Sequence, residues 1–189
     1  MSEARIDRLV AAHAEYEAQV SNAYDEVLHE VAERVSTTGS IGKSDIGALL
    51  LWKRLRADTP WALALMSIPD AEVRAVTTRA VIAVSDNDVT TPAAARAGRR
   101  ALGRLPGFTV GDALASALLV AAAPRRLAVY DRRAQQGLEI LGYTLTAARG
   151  RYSRYMELVE EMLDMARRER PAWLARDVDL ALYWLGRSS

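Results

Sequence analysis

Residues 102–131 read LGRLPGFTVGDALASALLVAAAPRRLAVYD. A helix ends near Leu102, and Leu105-Pro106-Gly107 supplies a turn. A second helix of small side chains then runs from Ala113 to Ala123, and Leu127 to Tyr130 read as a short extended piece leading to a lone carboxylate, Asp131. Pro-Gly favours a tight turn because Pro fixes φ and Gly tolerates positive φ. The alanines of the second helix permit close approach to its neighbours, so this helix is expected in the middle of the fold.

Outward from this stretch the periodicity is helical almost everywhere. Upstream, Ala4 to Val35 keeps apolar residues at three-and-four spacing, predicting one long amphipathic helix with an acidic outer face. Ser36 to Gly42 is a linker, and Ser44 to Arg56 reads as a helix with Ile46, Leu49, Leu50 and Leu55 inward. Thr59-Pro60 and Thr91-Pro92 mark two helix starts, with Asp70 to Val84 a helix between them. Downstream, helices are expected at Asp131 to Leu141, Arg151 to Arg168 and Asp177 to Leu185. No run alternates as a strand does. The expected fold is all-α, a single helical domain over 1–189, with 1–36 its acidic N-terminal helix.

The 189 residues contain no cysteine, which excludes disulfides, thiolate metal sites and a Cys nucleophile. The longest mostly apolar run, Ala113 to Ala123, is too short to span a bilayer, and Met1 to Arg8 lacks a signal-peptide pattern. A soluble, cytoplasmic protein without membrane contact is therefore expected. The net charge of +1 conceals a gradient: residues 1–50 hold 4 basic and 9 acidic side chains, whereas 93–154 hold 11 arginines against Asp112, Asp131 and Glu139. Such a basic segment suits a polyanion. A genome bias toward Arg accounts for the near absence of Lys, present only as Lys43 and Lys53, but not for the scarcity of acids.

Several motifs fail. Gly42-Lys43-Ser44 lacks the upstream glycine of a phosphate-binding loop, since position 37 is Thr37. His13 and His29 stand 16 residues apart and make no metal pair. Glu157, Glu160, Glu161 and Asp164 read as a solvated stripe, and Asp86-Asn87-Asp88 lacks the rest of a calcium loop. No metal or cofactor is expected.

The segment 99–142 resembles the helix-hairpin-helix and aspartate region of the base-excision DNA glycosylase superfamily, the 8-oxoguanine DNA glycosylase-like fold. Leu105-Pro106-Gly107-Phe108-Thr109, the Ala-rich helix and Leu127-Ala128-Val129-Tyr130-Asp131 carry the likeness. It implies DNA binding by the hairpin at Pro106, Gly107, Thr109 and Gly111. Arg99, Arg100, Arg104, Arg125, Arg126, Arg132 and Arg133 then neutralise phosphates, and Asp131 is the catalytic carboxylate of N-glycosidic cleavage. An anion there stabilises the positive charge that grows on the sugar as the base departs. Trp52, Trp61 and Tyr130 are candidates for stacking on an extruded base.

The pattern departs from the family in two places. Thr109 replaces the second hairpin glycine, and Gly111 stands where bifunctional members carry a lysine, so the enzyme reading is a monofunctional glycosylase, with Lys43 or Lys53 the only available amines. Asp131 is equally explained as a helix N-cap with no chemistry. Two other functions stay open: a non-catalytic helix-hairpin-helix nucleic-acid-binding protein, and a helical interaction protein whose N-terminal helix meets a second copy or another partner.

Overall fold

The computed structural model describes residues 3–188. Ten α-helices follow in order among them: α1 Glu3–Gln19, α2 Glu26–Thr38, α3 Lys43–Trp52, α4 Pro60–Met66, α5 Asp70–Ser85, α6 Thr91–Leu102, α7 Ala113–Ala122, α8 Arg132–Ile140, α9 Arg151–Ala166 and α10 Ala175–Leu185. No strand occurs among the described residues, and no helix there is long and apolar enough to cross a membrane.

The Ala-rich helix α7 is buried on every side from Leu114 to Ala121. Around it pack α2, α3, α5 and α6. A second group forms about α10, which packs on α8, α1 and α9, while α6 against α9 joins the two groups into a single compact domain. Small residues set the closest approaches. A Cβ on Gly137 of α8 would lie 2.1 Å from the Leu182 carbonyl oxygen of α10, and one on Gly98 of α6 would lie 2.6 Å from Val84 of α5.

The expected single N-terminal helix is two helices. Ser21 and Asn22 interrupt it: the Ser21 hydroxyl accepts from the Ala23 amide, and a 3₁₀ turn over Asn22–Asp25 follows. Short polar side chains that bond their own backbone compete with the helix ladder in this way. The break frees Tyr24 and Asp25 to reach α3 and α10. The apolar stripe Ile6, Leu9, Ala12 and Tyr16 is buried within the chain as α1 packs on α10 and α9, so only the polar outer face of α1 is left for a second copy or another partner. Helix α3 stops at Trp52, short of Arg56, because Arg54 adopts φ 53°; Leu55 is consequently 36% exposed and not in the core.

Residues 127–130 are extended and buried without a strand partner. Side chains satisfy their backbone instead. Tyr130 N–H donates to the Ser116 hydroxyl at 3.0 Å, and Val129 N–H donates to the Asp179 carboxylate at 2.7 Å. Tyr152 and Tyr155 hydroxyls donate to the carbonyls of Ala128 and Val129 at 2.9 and 3.0 Å. Buried backbone groups need such partners, and here α7 and α10 provide one each and α9 two, fixing the piece that delivers Asp131.

Candidate functional site

Asp131 caps α8, its Oδ1 accepting from the amides of Arg133 and Ala134 at 2.9 and 3.0 Å. Its Oδ2 accepts from Lys53 Nζ at 2.5 Å. The two side chains are 17% and 12% exposed. Burial works against ionisation of Asp131, but the Lys53 ammonium, by charge and hydrogen bond, and the two cap amides together hold its carboxyl below the ordinary range. Cap and ion pair use different oxygens of one carboxylate, so the structural role leaves Oδ2 for the lysine.

Lys53 follows directly on α3, where the chain turns out of the helix. Its ammonium also lies 5.4 Å from the centre of the Trp52 ring. Behind the pair is a second charged group. Arg176 on α10 bonds Asp25 from the 3₁₀ turn and Asp179 one turn further along α10. Trp52 Nε1–H donates to Asp25 at 3.1 Å, and Tyr24 O–H donates to the Trp52 carbonyl. Burial raises the Asp179 carboxyl to about 6, although Arg176 and the Val129 amide pull it down. Burial likewise opposes the charge on Arg176, and the carboxylates of Asp179 and Asp25 more than reverse this. Asp131, Lys53, Trp52, Tyr24, Arg176 and Asp179 line a small cavity of about 20 Å³, enough for roughly one water. A nucleobase does not fit in this volume.

The hairpin between α6 and α7 turns at Leu105–Phe108, with Phe108 N–H donating to the Leu105 carbonyl, and Gly107 and Gly111 have φ of 85° and 79°. Both glycines use a region that other residues rarely adopt. Gly107 is covered: a Cβ there would lie 2.3 Å from the Trp61 ring. Gly111, with Thr109 and Val110, is exposed. Arg99 braces the loop from inside, donating to the Phe108 and Gly111 carbonyls and to Asp112, which also meets Arg151.

The seven arginines assigned to phosphates thus fall into two groups. Arg99 is spent on the hairpin, and Arg126 on Thr91 and the carbonyls of Val84, Asp86 and Val89. Arg133 is exposed but lies over the Tyr183 ring and bonds its hydroxyl. Arg100, Arg104, Arg125 and Arg132 are exposed.

The stacking candidates are engaged within the protein. Trp52 and Tyr130 are each 5% exposed; Arg176 lies 5.3 Å from the Trp52 ring centre, and Arg151 5.0 Å from that of Tyr130. Trp61 is half-buried against Gly107 and Phe108. The sequence alone does not assign Lys53 to the Asp131 site, nor Arg176 and Asp179 to its lining, nor Asp25 to Arg176. Nothing local signals contacts that span 78 and 151 residues. No group of three metal-ligating side chains occurs among the described residues.

Comparison of the chain with protein-family models, curated proteins and solved structures finds no match.

Proposed function

We propose that the chain is a DNA glycosylase-like enzyme that releases a modified base, with Asp131 as the catalytic carboxylate and Lys53 beside it. The observation that carries this reading is the Lys53–Asp131 contact at 2.5 Å. It joins the carboxylate that N-glycosidic cleavage requires to one of the chain's two lysines. The other, Lys43, is occupied: its ammonium donates to the Met66 and Ile68 carbonyls.

In this reading the bond from C1′ to the base nitrogen breaks and its electron pair leaves with the base. The Asp131 carboxylate stabilises the cationic sugar, water adds to C1′, and the water's proton passes through the carboxylate to the departing base. Lys53, held at the same oxygen, can take the place of water as an amine nucleophile once it gives up its proton. The hairpin supplies the contact that positions the duplex, through the exposed backbone at Thr109 to Gly111.

The size of the cavity favours a second reading, in which the protein binds nucleic acid without base release and the Lys53–Asp131 pair only ties α3 to α8. Duplexes each carrying one modified base separate the two. Wild type should release a base that Asp131→Asn does not; a covalent DNA adduct trapped by borohydride in wild type and lost in Lys53→Gln would assign the attack at C1′ to Lys53, and no adduct assigns it to water. Binding without release from any duplex, or release unchanged in Asp131→Asn, overturns the catalytic reading.

A further inference from the structure

Sorting the arginines by what they touch isolates one set. The face of α6 toward α9 carries Arg96 and Arg100 one turn apart, continued by Arg104 just past the helix end, and Arg79 of α5 joins them. Arg99, off this register, is the one that turns inward to the hairpin. The four line an open groove of about 610 Å³, with Ser153 and Glu157 of α9 on its far wall. Among the described residues none of the four forms an ion pair; the one polar contact is Arg96 to the Ser153 hydroxyl at 3.5 Å. Several of the other guanidiniums are spent on carbonyls and carboxylates, as at Arg99, Arg126, Arg151, Arg154 and Arg176. Here four positive charges face one acid across solvent.

We propose that this groove is a track for the phosphodiester backbone of DNA, with Arg96, Arg100 and Arg104 each meeting a phosphate and Arg79 flanking them. The inference extends the DNA reading above but rests on residues outside the Asp131 pocket. Along α6 the guanidiniums repeat about every 6 Å, and one strand of a duplex presents a phosphate about every 3.4 Å of axis. The row therefore spans several phosphates of one strand. Arg104 ends the row where the hairpin begins, so a backbone lying in the groove continues toward the exposed turn at Thr109 to Gly111.

The test is fluorescence anisotropy of a labelled 20-base-pair duplex, and of the matching single strand, with the full chain between 50 and 200 mM NaCl. Three neutralised phosphate contacts contribute roughly 2.7 to the slope of log affinity against log salt. In Arg96→Gln/Arg100→Gln/Arg104→Gln, the fall in affinity over that fourfold salt range should shrink by about 40-fold. The control Arg149→Gln/Arg168→Gln/Arg170→Gln, at exposed positions with the same change in net charge, should shift the slope by less than about 1, and the groove triple Arg→Lys should keep it. Circular dichroism melts verify that each variant is folded. Equal loss in the groove and control variants overturns the proposal, as does absence of wild-type binding at 50 mM salt. Normal binding by the groove variant overturns it while leaving base release by Asp131 intact. Groove-dependent binding without base release leaves the track and removes the enzyme.

Discussion

Replacing Lys53 by Met removes the ammonium 2.5 Å from Asp131 Oδ2 and keeps a flexible apolar stem beside Trp52. A hydrogen bond to a charged group contributes about 1.5–3 kcal/mol, and stranding one partner of a fully buried pair costs about 3–5 kcal/mol. With 12% and 17% exposure, water reaches this pair slightly, which places Lys53→Met near the junction of those ranges, at about 2–3 kcal/mol. For a chain of this length that is a fall in Tm of roughly 5–10 °C. Asp131→Asn keeps an oxygen to accept the Arg133 and Ala134 amides, so the cap persists and mainly the pair is lost. A double-mutant cycle by urea denaturation should therefore give a coupling of about 2 kcal/mol at pH 7. The carboxyl sits below its ordinary value of 3.8 in the folded state, so the pair's stabilisation is complete above that value and is lost as pH falls through the lower folded one. The gap between wild type and Lys53→Met should be flat from about pH 5 to 8 and close in stronger acid. Coupling under about 0.5 kcal/mol at pH 7 would mean a solvated contact, and Asp131 would lose the electrostatic tie on which the catalytic reading depends.

Arg126 clamps the Val84–Thr91 connection through three carbonyls and the Thr91 hydroxyl, so Arg126→Gln should cost about 1–3 kcal/mol by thermal melts and leave DNA affinity unchanged. Affinity falling without loss of stability would return Arg126 to the phosphate-binding set. Gly137→Ala places a methyl 2.1 Å from the Leu182 carbonyl oxygen, where backbone has to move; a loss of about 2–3 kcal/mol is expected, and a neutral result in urea denaturation would show that α8 and α10 are not so closely apposed. Asp179 has a folded value of about 6, above its unfolded 3.8, so its folded state binds the proton more tightly. Its stabilising share is present below about pH 4 and is lost as pH rises through about 6. Asp179→Asn should flatten that part of the Tm profile between pH 4 and 7; an unchanged profile assigns the slope to another group.

The helices were legible because amphipathic spacing is local, and so was Asp131 as the first residue before α8, since a cap depends on the next three residues only. Where the reading went astray, a local rule met a distant partner. Three-and-four spacing continues through Ser21 and Asn22, so periodicity alone carries the N-terminal helix past the break that the Ser21 cap makes and that the contacts of Asp25 and Tyr24 with Arg176 and Trp52 hold in place. Leu127 to Tyr130 is extended as its sequence suggests, but the partners of its backbone, Ser116, Tyr152, Tyr155 and Asp179, are of types too common to give any signal.

The arginines make the same point for function. Charge density over 93–154 marks the segment as basic, yet composition cannot separate an arginine that closes a loop from one that faces solvent. Arg99 and Arg100 are adjacent in sequence and differ by about 100° around α6, which sends one into the hairpin carbonyls and leaves the other in the groove. Lys53 is the converse case, a residue with no motif around it that acquires chemical interest only because α3 ends where α8 begins in space. A carboxylate and an amine meeting from segments 78 residues apart can be tested as a pair, whereas Asp131 alone was explained equally well by its cap.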